Sequence, residues 1–515
     1  MKNVELLVAL IALGTCCTRA PLPMSEFWGG LEAGPYQPGF RLVETSDATR
    51  SFPSDDGPGA VGRPLRVYVW HPAAKPSGER MRLDDYIDLA LEDFRTPLLP
   101  VPLSKGLDPS VLERLRAADA GAFRDAAAAP GKFPLLVLGQ GLYYESPLSH
   151  FVLCEFLASH GYVVATSPLI GTRYRLVNID VEDVETEVRD MESVLAAARR
   201  LPFADPDALG AVGYDLGGMA GLLLAMRHPE IRAYLSLDSA ILDKHFSGLP
   251  LTHPQYREER FRIPWMHMMQ ARFIRTPESR AAAPSLFERK AFGPSYLVHV
   301  PTTSHGSFSS YAVLGIDRAV PGYWGPPSAD PKPVYEGICR AGLGFLDAHI
   351  KKDRARLDAF LEGLGAEGPA FKIERKDGPQ GPPLAAELVD LIIQRGMAEA
   401  GPQIAGAREA FPGVALIEEP VLNWLGAHFL YWWGREEEAV AVFELNVSFY
   451  PGSWNAHDSL GEAQAALGRR EEAIRSYERS LELNPDNGNA RAALERLSAP
   501  VKKEPGASEA SAGRS

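Results

Sequence analysis

The sequence predicts an α/β fold, a doubly wound and mostly parallel sheet, followed by an all-helical repeat region. Three observations carry that prediction. Between residues 35 and 355, short apolar runs alternate with helix-length amphipathic segments. One run ends in Gly213-Tyr214-Asp215-Leu216-Gly217-Gly218, the shape of a sharp strand-to-helix turn. Near the C-terminus Gly434, Ala439, Phe443 and Pro451 recur 34 residues later as Gly468, Ala473, Tyr477 and Pro485.

The first element is a leader. Lys2 precedes an apolar run, Leu6 to Leu13, too short to cross a bilayer but suited to the core of an export signal. Leu13-Gly14-Thr15-Cys16 resembles a bacterial lipoprotein processing site, in which Cys16 carries the lipid. Residues 1–20 are therefore read as a signal or lipoprotein leader. The mature chain is expected to be exported, whether periplasmic, secreted or membrane-anchored, and a lipid anchor is its one expected membrane contact.

The α/β domain is placed at 30–355. RPLRVYVW, FPLLVLGQG and YVVAT read as strands, and SHFVLCEFLASHG as a helix closed by glycine. In VETEVRDMESVLAAARRL, Val184, Val188, Met191, Val194 and Leu195 share one helical face. The acidic run Asp180, Glu182, Asp183 and Glu185 lies at that helix's start, where carboxylates suit the helix dipole. ALGAVGY is a strand, GGMAGLLLAMRH a helix ending before Pro229, and AYLSLD and SYLVHV are strands again. Two inserts stand out. Residues 80–130 hold MRLDDYIDLALEDF and SVLERLRAADAGAFRDAAAA, read as helices, and 240–292 are rich in aromatics, Arg and Met. Such inserts either cover a cleft or decorate the fold away from it.

The region 384–498 is helical, with a weaker run at 384–420 capping the repeats. Its 34-residue period, with small residues between helices and Pro after the second, resembles the tetratricopeptide repeat. Trp424, Tyr431, Trp432 and Trp433 read first as helix-packing core, a peptide groove being the alternative. The tail 499–515 is low-complexity and expected to be disordered.

Composition excludes several functions. A net charge of −13 argues against nucleic acid as a partner. Residues 383–498 hold 18 acidic and 9 basic side chains, so acidity concentrates in the repeats and hints at a basic protein or peptide partner there. Four cysteines make neither a disulfide scaffold nor a multi-zinc protein, and nothing in the sequence pairs Cys154 with Cys339. His150, His160, His267 and His299 lack metal-ligand spacing, and no phosphate loop occurs, so neither metal nor cofactor is expected.

Ligands of doubly wound sheets bind beyond the carboxyl ends of the strands. Asp215 stands there, in a turn whose small neighbours Gly213 and Gly217 let strand and helix approach closely. The next strand ends at Asp238, and SYLVHV is followed by His305 on the same rim. A carboxylate bound to one nitrogen of His305 would fix its tautomer and turn the other nitrogen to the reaction. The chain order is nucleophile, acid, histidine.

Segments FPLLVLGQGLYYES, LCEFLASHGYVVA, AVGYDLGGMAG, YLSLD and TSHGSF together resemble the platelet-activating-factor acetylhydrolase and dienelactone-hydrolase-like branch of the α/β-hydrolases. The resemblance spans about 300 residues. It implies an esterase-like hydrolase acting on a small molecule, with Asp215, His305 and Asp238 catalytic and an oxyanion hole from the backbone N–H groups of Leu142 and Leu216. Two departures matter. The family's His-Gly is Gln140-Gly141 here, and its Ser nucleophile is Asp215. Aspartate nucleophiles belong to the epoxide hydrolase and haloalkane dehalogenase branches, where they attack saturated carbon and Trp usually follows the Asp. Leu216 stands there instead, and Tyr143 and Tyr144 read as wall residues rather than leaving-group holders. Three functions stay open: an Asp-dependent hydrolase of ester-like substrates, an epoxide or haloalkane hydrolase, and a catalytically inactive scaffold that binds a protein through its repeats.

Overall fold

Apolar runs that alternate with amphipathic helices build one sheet, which has eleven strands among the described residues. In chain order these are β1 (Gln37–Pro53), β2 (Ala60–Ala73), β3 (Arg80–Arg82), β4 (Asp119–Arg124), β5 (Phe133–Gly139), β6 (Val163–Thr166), β7 (Ala204–Tyr214), β8 (Ile231–Leu237), β9 (Trp265–Gln270), β10 (Ser295–Val300) and β11 (Lys372–Lys376). The computed structural model describes residues 25–54, 59–95, 107–142, 146–242, 248–301, 303–315, 330–363, 371–379 and 381–498. The leader with Cys16, residues Tyr143 and Tyr144, and the tail 499–515 lie outside them. The chain divides into two units, 1–380 and 381–515.

Across the sheet the order is β11-β10-β9-β8-β7-β5-β6-β2-β1-β4-β3. From β6 through β5 and β7 to β10 every neighbour is parallel, and β2 joins β6 antiparallel. Strand β5 is apolar along its length because helices cover both faces. Leu135 and Val137 point to one core and Leu136 and Leu138 to the other. The first core packs against α4 (Val181–Arg199) and α5 (Asp215–Arg227), the second against α1 (Leu83–Asp93), α3 (Pro147–Ser159), α6 (Pro331–Leu346) and α7 (Ala355–Glu362). Helix α4 buries Val184, Val188, Met191, Val194 and Leu195, the face read from its periodicity. The acidic run before it supplies the cap, since the Asp180 carboxylate accepts the Asp183 N–H at 2.8 Å.

The first insert differs from its reading. Helix α1 forms, but the second helix, α2 (Pro109–Arg116), stops early and AGAFR becomes β4, which pairs with β1 and β3. The cause is tertiary. Glu155 on α3 is buried and accepts the N–H groups of Gly121 (2.9 Å) and Ala122 (3.1 Å), along with Trp28 Nε1–H (2.9 Å) and the Tyr86 hydroxyl (3.0 Å). That carboxylate takes backbone donors a helix would have used internally.

The second unit contains α8 (Ala385–Arg395), α9 (Met397–Ala410), α10 (Glu419–Tyr431), α11 (Glu436–Phe449), α12 (Trp454–Ala466), α13 (Arg470–Leu483) and α14 (Gly488–Ser498). Gly434 and Gly468 end the first helix of each hairpin with φ of +59° and +74°, a conformation that favours glycine. Ala439 and Ala473, one period apart, are fully buried. The aromatic reading is corrected here. Trp424, Tyr431, Trp432 and Trp433 are 52%, 56%, 67% and 43% exposed, because α10 buries the stripe Leu422, Leu425, Gly426 and Phe429 instead. Among the described residues no helix is long and apolar enough to cross a membrane.

Candidate active site

Strand register brings the site residues to one rim. Gly139 on β5 pairs with Gly213 on β7, and Tyr214 pairs with Leu237 on β8, so Asp215 and Asp238 both follow directly on aligned strand ends. The chain turns abruptly at each, with φ of +51° at Asp215 and +39° at Asp238. Such backbone is costly outside glycine, and Asp is among the residues that tolerate it best. The turn is tight because α5 starts against β5. The Gly217 N–H donates to the Gln140 carbonyl at 2.8 Å, and a Cβ on Gly217 would fall on the Gly139 carbonyl group. A Cβ on Gly213 would meet the Gly217 oxygen at 2.5 Å. The Ser239 hydroxyl donates to the Asp215 carbonyl at 2.8 Å and ties the turn to the end of β8.

The structure gathers the three residues the sequence singled out. His305 Nδ1 lies 2.7 Å from Asp238 Oδ2, and His305 Nε2 lies 3.8 Å from Asp215 Oδ2. The side chains of Asp215 and His305 are 20% and 23% exposed, and that of Asp238 is 5% exposed, so the first two are open to solvent while the third stays inside. Leu142 donates its N–H to Asp215 Oδ2 at 3.0 Å, and the Leu216 N–H also supports the carboxylate. Of the two donors expected to form an oxyanion hole, Leu142 therefore binds the elbow aspartate itself and Leu216 adds to the field that holds it charged.

Electrostatics follow from this geometry. Burial alone would raise the Asp215 carboxyl, but His305 and the two N–H groups outweigh it and hold it below the ordinary carboxylate range. Burial would likewise lower His305, yet the Asp215 and Asp238 carboxylates push it up to about 10. At neutral pH the site is an imidazolium between two carboxylates.

Three contributors were not read from the sequence. Gln270, the last residue of β9, donates Nε2–H to Asp238 Oδ2 at 2.5 Å and its backbone N–H to Oδ1 at 3.1 Å. Tyr214 stacks on the His305 ring, 4.6 Å between centroids and 16° between planes, and its hydroxyl donates to the His305 carbonyl at 3.2 Å. His150 closes edge-on against Tyr214 at 4.8 Å, and burial first, then the charge of His305, pushes it down to about 3. Gln140 holds no donor toward Asp215; its side chain is buried and donates to the Thr166 hydroxyl at 2.9 Å. Among the described residues no three His, Cys, Asp or Glu side chains gather around a metal-sized space.

Comparisons with known proteins fit the two parts of the chain separately. The tetratricopeptide repeat family model matches residues 454–487, the second of the two repeats. No curated protein matches the chain. Among solved structures, a ferulic acid esterase from Streptomyces cinnamoneus is similar, with 19% identity and a TM-score of 0.50 over 67% of this chain and 98% of that one. At that identity the likeness is one of fold: the strand order and helix placement are those of the α/β-hydrolase fold, and an all-helical repeat unit follows in the chain.

Proposed function

We propose that this protein is a hydrolase in which Asp215 attacks a saturated carbon, and that an epoxide is the substrate class its proton inventory fits best. The observation that carries this reading is the bond from the Leu142 N–H to Asp215 Oδ2. An esterase needs such donors for the oxygen of its substrate's carbonyl group. Here the nucleophile's own oxygen takes them, and attack on an ester would in addition give a high-energy mixed anhydride. A carboxylate anchored through Oδ2 keeps Oδ1 for displacement at carbon.

The steps balance. Asp215 Oδ1 bonds to an epoxide carbon, the ring C–O bond breaks, and the alkoxide takes the proton of His305. Asp215 is then a neutral ester, so His305 loses one of the charges that raised it and becomes a base. It takes a proton from water, and the hydroxide adds to Cγ of Asp215. Negative charge gathers on Oδ2, where the Leu142 N–H already points. Collapse expels the diol and restores the carboxylate and the imidazolium. Asp238, set by Gln270, holds His305 throughout. A haloalkane takes no proton on leaving and would strand His305 in its charged form.

A second reading, the inactive scaffold, is favoured by that same charged His305, since the resting site holds no free base. A third, ester hydrolysis, draws on the resemblance to the acetylhydrolase and dienelactone-hydrolase-like branch. In each reading the repeats engage a protein or peptide partner and the chain is exported, with Cys16 the candidate lipid site. Aryl esters, epoxides and haloalkanes assayed on wild type, Asp215→Asn and Asp215→Ser separate the three. Epoxide turnover lost by at least about 10³-fold in Asp215→Asn supports the proposal. Ester turnover by Asp215→Ser alone would mark a disabled esterase. In a single turnover in heavy-oxygen water, the Asp215 peptide should gain label, and an unlabelled peptide from an active enzyme would refute the covalent route.

A further inference from the structure

The exposed aromatics of the repeat unit form an ordered face. Trp424, His428 and Trp432 follow at four-residue spacing along α10 and its end, with ring centroids 3.9 Å apart for Trp424 and His428 and 4.7 Å for His428 and Trp432. Such spacing aligns side chains on one helix side. Tyr431, also exposed, has Glu462 of α12, the first helix of the next repeat, as the nearest charge raising its hydroxyl after burial. Helix α12 continues the pattern at the same spacing with Trp454, Asp458 and Glu462, and Trp454 is 40% exposed. Asp458 is half-buried, accepts the Asn487 Nδ2–H at 2.8 Å and stands beside Glu462; burial outweighs that hydrogen bond and, with the charge of Glu462, raises its carboxyl. Among the described residues neither Asp458 nor Glu462 forms an ion pair with Lys or Arg.

We propose that this face binds an extended basic peptide segment, with Arg or Lys side chains laid on Trp424, Tyr431 and Trp432 and neutralised by Asp458 and Glu462. Two physical facts choose this occupant. Aromatic faces attract guanidinium and ammonium groups, and most strongly where a carboxylate stands beside the ring. The unit as a whole is complementary in charge to such a segment, with 18 acidic against 9 basic side chains over 383–498. A purely apolar partner would desolvate this carboxylate pair without supplying a countercharge. The inference rests on the repeats as a protein-binding surface and is independent of the chemistry at Asp215.

The test uses the full chain and three fluorescein-labelled octapeptides, (Arg-Ala)4, (Ser-Ala)4 and (Glu-Ala)4, read by fluorescence polarisation. The arginine peptide should bind at least about tenfold more tightly than either control, with the preference falling as salt rises. The variants Trp424→Ala/Trp432→Ala and Asp458→Asn/Glu462→Gln should each weaken it about five- to tenfold. A control of equal charge change on other helices, Glu409→Gln/Glu478→Gln, should stay within about twofold of wild type. Equal loss in that control overturns the proposal, because general charge would then explain binding. Tight (Ser-Ala)4 binding that disappears in the Trp variant would keep the surface and overturn the basic assignment. Indifference of every peptide to the Trp variant, or no binding at all, overturns both. Self-association abolished by Trp424→Ala/Trp432→Ala would assign the face to a second copy instead.

Discussion

At the residue scale, the site turns on where one carboxylate oxygen is held. With Leu142 on Oδ2, Asp215 is fixed as an anion, and its charge in turn keeps His305 protonated. Replacing Asp215 by Asn should lower the His305 pKa by about 1–3 units, measurable by imidazole proton NMR titration; an unchanged value would show that Asp238 alone raises it. The same coupling has a pH signature in stability. His305 sits near 6.5 when unfolded and about 10 when folded, so its contribution is complete below about 6.5 and lost as pH rises through about 10. Urea midpoints of wild type and His305→Gln should therefore differ most just below pH 6.5, draw together as pH rises from there, and converge above pH 10. Asp215, Asp238 and His305 were legible because they follow strands whose apolar runs are plain in the sequence. Gln270 and Tyr214 were not, because they act through contacts that exist only once β7, β9 and the His305 segment adjoin.

At the element scale, the elbow depends on α5 beginning almost in contact with β5. Gly217→Ala places a methyl group on backbone rather than on a movable side chain. It should cost about 1–3 kcal/mol or more by overpacking, read as a lower denaturant midpoint, and should reduce activity by displacing Asp215. A Gly217→Ala protein with unchanged midpoint and activity would contradict the close crossing. Strands β5, β6, β8 and β10 were read to within about two residues, since buried parallel strands are continuous apolar runs and carry their own signal; β9 instead lies within 240–292, the range read as an insert, and pairs between β8 and β10. Strand β4 was read as helix because AADAGAFR is rich in alanine, and local propensity is a weak prior beside the four hydrogen bonds that Glu155 receives. Strand β11, with the charged sequence KIERK, has no apolar run to betray it, and it finds its place by pairing with β10.

For the whole molecule, the buried apolar clusters of residues 25–380 and of the repeat unit share no residue. Phe443→Ala, in the repeat core, should remove about 3–5 kcal/mol from that unit. Hydrogen exchange should show protection lost in 385–498 and retained in β5, β7 and β8; loss across both would mean that they unfold as one. The sequence by itself determined the α/β class, the 34-residue helical repeats, the acidic bias of the second unit and the three residues that meet at the sheet's rim. These are properties of periodicity, composition and chain order, which need no knowledge of neighbours. Tertiary structure alone decided what the rim residues face. It put Asp215 on the donors expected to serve substrate, set Gln270 behind Asp238, drew β4 out of a helical sequence and turned Trp424, Tyr431 and Trp432 outward. Each of those outcomes depends on which groups compete for the same hydrogen bonds or the same buried face, and that competition is settled between segments far apart in the chain.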